Sequence, residues 1–188
     1  MRTVNETRRP PAGASQHAPQ ALTVYLNDHL AGATAGVRLA ERLAGHHGAA
    51  PDTAAALTSL AAEVRDDRAR LRRLMGELGV PVHRSMVFGA KVGERLGRLK
   101  PNGRLVRTSE ARDVIELEAM LLGVQGKAAL WRALAALPAI AENGTAAELR
   151  MLLTRAERQT GVLERLRATA ATRALAEPQP DFQPEPQR

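Results

Sequence analysis

The 188-residue chain is long enough for one domain with its own core, and 44% of its residues are apolar. Aromatic residues make up only 2%, so Leu, Ala and Val must fill that core, which favours packed helices over sheets. The absence of cysteine excludes disulfides, thiolate metal sites and cysteine nucleophiles. The net charge is +7 at pH 7, and no uncharged apolar run reaches the roughly 18 residues that a membrane span needs.

Both ends of the chain are polar and rich in proline. Residues 1–19 hold too little apolar surface to offset the entropy of ordering, and residues 177–188 carry four prolines around Phe182. We predict disordered segments at both ends and one folded body over residues 20–176. The N-terminal segment has no apolar stretch of signal-peptide length, which predicts a cytoplasmic protein. The preference for Arg over Lys and the many alanines are typical of bacterial genomes of high GC content.

Within the body, apolar residues recur at steps of three and four, which predicts amphipathic helices. The predicted helices cover about residues 21–44, 51–78, 109–137 and 145–176. The expected core positions of the first two are Leu22, Leu26, His29, Ala33, Val37, Ala40, Leu57, Leu60, Val64, Asp67, Leu71, Leu74 and Leu78. Those of the last two are Val114, Leu117, Leu121, Val124, Ala128, Trp131, Leu149, Leu152, Ala156, Leu163, Leu166 and Ala170.

Local signals mark several helix ends. Pro51 and Asp52 form a plausible cap at the start of the second predicted helix. Gly79, with a proline two residues later, ends that helix. Thr145 and Glu148 have the spacing of a capping box at the start of the fourth.

The lengths of the connections predict the topology. The first and third links are short, so each should join two helices into an antiparallel hairpin. The middle connection, residues 79–108, is long enough to cross the bundle, and residues 86–99 within it have the pattern of a short helix. The sequence therefore predicts an all-α fold, an antiparallel four-helix bundle built from two hairpins and a long crossover.

Polar residues on the expected core faces are candidates for a site. His29 and Asp67 lie at about the same level of the first hairpin. Such a pair can be a hydrogen bond that fixes helix register, or a metal ligand with its orienting carboxylate. Glu63 lies one turn before Asp67, and Glu118 lies beside the face of the third helix. The candidate metal ligands are therefore His29, Glu63, Asp67 and Glu118, with Glu157 and Gln159 in similar positions on the fourth helix.

The long crossover, together with residues 25–32, 116–118, 122–124 and 126–127, resembles the ferritin-like superfamily, in an uncharacterised bacterial branch. The resemblance covers about residues 21–175. A di-iron member would be expected to carry Glu-x-x-His in its second and fourth helices. Here Asp66 and Thr160 stand where those histidines would be, and His29 replaces the carboxylate of the first helix. The resemblance thus implies a bundle without the full di-iron ligand set, either free of cofactor or using a different transition metal.

The middle connection is strongly basic. Residues 84–107 hold seven basic residues and one acidic residue, a net charge of +6. A concentrated positive field attracts phosphate, anionic lipid or an acidic partner, although Phe88 is the only residue there on which a base could stack. The candidate anion-binding residues are Lys91, Arg95, Arg98, Lys100 and Arg104. The alternative is a solvated connector whose arginines pair with acidic residues of neighbouring helices.

No catalytic signature is present in the sequence, and the glycines of the connector lack the lysine and hydroxyl residue that end a phosphate loop. The first interpretation is a non-catalytic helical bundle that acts by binding another macromolecule or by self-assembly, with the connector as its contact surface. The alternatives are a metal-binding bundle with a non-standard carboxylate and histidine site, or an anion or nucleic-acid binder working through the connector.

Overall fold

A computed structural model describes residues 18–45, 50–83, 111–141 and 145–176. These residues form helices and contain no strand, which confirms the predicted all-α class. The helices are α1 (Gln20–Ala44), α2 (Pro51–Glu77), α3 (Ala111–Ala135), α4 (Pro138–Ala141) and α5 (Thr145–Ala176). The four long helices agree with the predicted ones to within two residues at each end. The expected disordered ends and the short helix at residues 86–99 lie outside the described residues.

The apolar side chains form two core clusters. One contains Leu57 and Val64 of α2, and the other contains Leu71 and Leu74 of the same helix. Each cluster takes side chains from all four long helices, which is the arrangement expected of a helical bundle. None of the described helices is apolar over enough of its length to cross a membrane.

The predicted core faces of α2 and α3 are confirmed, because all their expected positions are buried except Leu78, which is half-buried. On α1 the expected Leu26 and Ala40 are buried, but His29 is half-buried, and its neighbour Leu30 is buried instead. The larger apolar side chain of Leu30 fills the core, since burial of an imidazole without a hydrogen-bond partner would cost free energy.

The C-terminus of α2 confirms the role predicted for Gly79. Its φ is 65°, a left-handed conformation that residues with a Cβ rarely adopt. The Gly79 N–H donates to the carbonyl of Gly76 at 3.1 Å, and the Val80 N–H donates to Met75 at 2.8 Å. These two bonds form a Schellman cap, and Val80 is buried beside it.

The starts of two helices differ from expectation. Ala50 is the cap residue of α2 and makes no side-chain capping bond. Pro51 lies inside the first turn, where a missing N–H has no cost, and Asp52 lies there too, where a negative charge is favourable. At the start of α5, the carboxylate of Glu148 pairs with Arg70 of α2.

Replacing Gly79 with alanine should lower the free energy of unfolding by about 1 kcal/mol, because the new Cβ is strained at a positive φ. Gly76 is the matched control: it is helical, and a Cβ added there would meet no described atom within 4 Å. Gly76→Ala should raise the stability by up to about 1 kcal/mol through helix propensity. Urea denaturation of both variants measures the two changes in the free energy of unfolding. If both variants were stabilised, or both destabilised, the assignment of this cap would be contradicted.

Candidate functional site

The polar side chains inside the bundle are the candidates for a site. Among the described residues, Asn27, Asp67, Arg70 and Gln159 are polar and buried. Asp67 and Gln159 are the most deeply buried of these, at 1% and 2% exposed. A polar group with so little access to water must find its partners within the protein.

Asp67 of α2 binds two cations from other helices. Its Oδ2 accepts a hydrogen bond from Lys127 Nζ of α3 at 2.5 Å, and its Oδ1 accepts one from the Arg155 guanidinium of α5 at 2.9 Å. Both carboxylate oxygens are therefore occupied, and the buried negative charge is neutralised from two sides.

Gln159 of α5 extends these contacts. Its Oε1 accepts from Lys127 Nζ at 2.5 Å, and its Nε2 donates to Glu63 Oε2 of α2 at 2.9 Å. Glu63 also pairs with Arg158, nearer the surface. We call the connected set the polar network, and its members are Glu63, Asp67, Lys127, Arg155, Arg158 and Gln159.

The electrostatics of the network centre on Lys127. Burial lowers the pKa of its ammonium group, and the carboxylate of Asp67 opposes that shift. The ammonium thus sits in an environment that disfavours charge, and hydrogen bonds to Asp67 and Gln159 stabilise it there.

Asp67 lies where the two apolar clusters meet. On α2 it falls between Val64 of one cluster and Leu71 of the other. On α3, Lys127 lies between Val124 and Ala128 of the first cluster, close to Leu130 of the second. The network therefore joins three helices at one level and holds them in a defined register.

The predicted metal ligands are not gathered into one site. Glu63 and Asp67 share the polar network, but the ring of His29 contacts Tyr25, with the ring centres 4.5 Å apart. Glu118 lies 3.7 Å from Arg167 and is half exposed. In the part of the chain that the structure describes, no three His, Asp or Glu side chains could hold a metal ion together.

The expected pair of His29 and Asp67 is not formed. The physical reason is that α3 and α5 bring Lys127 and Arg155 to the same carboxylate. Two cations stabilise a buried negative charge more than a neutral imidazole does. The predicted anion-binding residues, Lys91, Arg95, Arg98, Lys100 and Arg104, lie outside the described residues.

Arg70 of α2 has a buried guanidinium that pairs with two partly exposed carboxylates, nearer the C-terminus of the helix. Its guanidinium donates to Glu77 Oε1 at 2.7 Å and also pairs with Glu148 of α5. The hydrogen bond from Arg70 lowers the pKa of the Glu77 carboxyl. An open cavity of about 270 Å³ lies beside Glu77, smaller than the range typical of ligand pockets.

Comparison of the chain with protein-family models, with curated proteins and with solved structures found no match. The site therefore has to be interpreted from its own geometry.

Replacing Asp67 with leucine should lower the free energy of unfolding by about 3–5 kcal/mol, because the buried Lys127 loses its counter-charge. Asp66→Leu, one residue earlier and exposed, is the matched control and should change stability by no more than about 0.5 kcal/mol. The double variant Asp67→Leu/Lys127→Met replaces the pair with apolar groups and should recover most of the loss. Equal effects at residues 66 and 67 in chemical denaturation would contradict the network's role.

The half-buried imidazole of His29 should make stability depend on pH. Burial lowers its pKa below the usual 6.5, with Asp28 opposing the shift, so the unfolded chain binds a proton first as the pH falls. In the window between the lowered pKa and 6.5, stability therefore rises with pH and is lost on acidification. His29→Gln should remove this part of the slope. The free energy of unfolding of the wild-type chain and of His29→Gln, measured between about pH 5 and pH 8, checks this prediction. If the two proteins depend on pH in the same way, His29 does not contribute to the slope and the prediction is wrong.

Proposed function

We propose that this chain is a non-catalytic helical bundle that acts by binding another protein or by assembling with itself. The observation that carries the proposal is the contrast between its interior and its surface. The carboxylate of Asp67 is fully engaged by other side chains of the bundle, whereas Leu122 on the outer face of α3 is 56% exposed. Apolar side chains on an outer helix face mark interaction surfaces when they form a continuous patch.

The proposed architecture is an antiparallel bundle of two hairpins joined by a crossover. Contacts between α1 and α2 support the first hairpin: Glu41 pairs with Arg65, and Asn27, earlier in α1, bonds the carbonyl of Pro81, later in the chain. Pairings in opposite chain order are the sign of antiparallel neighbours.

Contacts between α3 and α5 support the second hairpin in the same way. Lys127 bonds Gln159, and Glu118, earlier in α3, lies near Arg167, later in α5. The crossover belongs to residues outside the described ones, and its path stays a prediction, as does a cytoplasmic location.

We also propose that the chain is ferritin-like without a di-iron centre. Support comes from the polar network, where Lys127 and Arg155 bring positive charge to the carboxylates in the middle of the bundle. A metal ion bound by carboxylates would supply positive charge at such a place. Binding of another metal through His29, Glu63, Asp67 and Glu118 stays an alternative that only a metal analysis can test.

Anion binding through the connector is the second alternative, and the charge distribution favours it. Residues 84–107 carry a net charge of +6 out of +7 for the whole chain. Binding to phosphate groups through such a segment would weaken steeply with salt.

Elemental analysis and sedimentation velocity of the full chain, purified without a histidine tag, test the proposal together. We expect well under one metal ion per chain, and association that a chelator does not change and that survives moderate salt. One metal ion per chain, lost in Glu63→Ala, would contradict the proposal in favour of a metal protein. Association only with polyanions, abolished by salt, would contradict it in favour of the connector.

A further inference from the structure

Helix α3 has a second apolar face, which points away from the core. Its residues follow one another at steps of four and three, so they form one stripe along the helix. The stripe consists of Ile115, Ala119, Leu122, Gly126, Ala129 and Ala133. Leu122 is 56% exposed, Ala129 and Ala133 are also exposed, and the other three residues of the stripe are half-buried. The opposite face of the same helix, with Leu121 and Val124, is buried in the bundle.

The stripe permits close approach of another helix. None of its six residues is charged, and glycine stands both within it and beside it. A Cβ added at Gly123 or Gly126 would meet no described atom within 4 Å, so none of the described residues packs directly against either glycine. Another helix can therefore pack against the backbone at this point.

One edge of the stripe carries polar residues seven positions apart. Glu118, Gln125 and Arg132 occupy this edge, with opposite charges at its two ends. Glu118 and Arg132 are 50% and 57% exposed, and their contacts to Arg167 and Glu157 within the chain are both long, at 3.7 Å. Such exposed pairs hold their side chains weakly, which leaves both charges accessible to a partner.

We infer that the occupant of this stripe is a second copy of the chain, with the two α3 helices packed antiparallel about a two-fold axis. The inference rests on the proposed function and names its partner. In the symmetric register Ala119 faces Ala129 of the other copy, and Leu122 faces Gly126. Each large side chain of the stripe thus meets a small one, which lets the two helices approach closely.

The same register pairs the charges. In an antiparallel helix pair with this packing, Glu118 lies opposite Arg132 of the other copy, and the pair occurs twice by symmetry. Gln125 meets its own copy at the axis, and Gly123 meets its copy on the other edge, where the helices are closest. The surface is therefore complementary to itself in shape and in charge, which an arbitrary partner would not require.

The test is sedimentation equilibrium of the full chain and of surface variants. We expect a dimer, with Leu122→Glu weakening dimerisation by at least about tenfold. Met151→Glu is the matched control, because Met151 is an apolar residue on α5 that is 66% exposed, and it should leave the dimer unchanged. Glu118→Arg and Arg132→Glu should each weaken the dimer, since each places like charges across the axis. The double variant Glu118→Arg/Arg132→Glu should restore it.

The outcomes separate this inference from the proposed function. A dimer that survives Leu122→Glu would move self-association to another surface and overturn the α3 interface, while the proposed function stands. A monomer at all concentrations would overturn the second copy as occupant. In that case a loss of stability in Leu122→Glu, absent in Met151→Glu, would show that another segment of the same chain covers the stripe. Stoichiometric metal would instead overturn the proposed function.

Discussion

The buried carboxylate of Asp67 constrains the rest of the bundle. A carboxylate that is 1% exposed has lost its water, and that cost is offset only where cations and hydrogen-bond donors replace it. Here the donors come from two different helices, Lys127 of α3 and Arg155 of α5. Apolar packing alone tolerates sliding of one helix past another more readily than this arrangement does, because a shift would leave a buried charge unpaired. The network therefore sets the register of α2, α3 and α5, and α1 packs against these three helices.

Helix α1 is held by different interactions. Its middle turns carry only small side chains, residues 31–36, so it offers little apolar volume there. Polar contacts hold α1 in place there instead, one to α2 and the others to the segment that follows α2. The guanidinium of Arg68 donates to Thr34 Oγ1 at 3.0 Å, and Asn27 bonds both the carbonyl of Pro81 and the N–H of His83. Asn27 thus ties the beginning of the connector to α1, although nothing in its sequence position indicated this.

The helices were predictable because their signals are local, whereas the polar network was predictable only in part: Glu63, Asp67 and Gln159 were candidates, and the cations that bind them were not. The spacing of Leu57, Leu60 and Val64 identifies the inner face of α2 without knowledge of its neighbours. Lys127 and Arg155 lie beside the predicted faces and reach the core through long side chains, so periodicity excludes them. Gln159 was among the candidates, and its burial agrees with its place in the spacing from Ala156 to Leu163. The pair between His29 and Asp67 is not formed, because that expectation considered only α1 and α2, whereas the cations that bind Asp67 come from α3 and α5.

The polar network and apolar burial favour the same rotation of α3. Both faces of this helix carry apolar residues, but the inner face holds the larger ones, among them Leu121 and Trp131, whereas the outer stripe is mostly alanine and glycine. Lys127 and Leu122 are five residues apart and so point about 140° apart around the helix. Turning Leu122 into the core would carry the ammonium away from Asp67 and leave that carboxylate without its nearest cation. The buried ion pair thus reinforces the rotation that exposes the stripe, because the rotation that buries the large apolar side chains also brings the ammonium to Asp67.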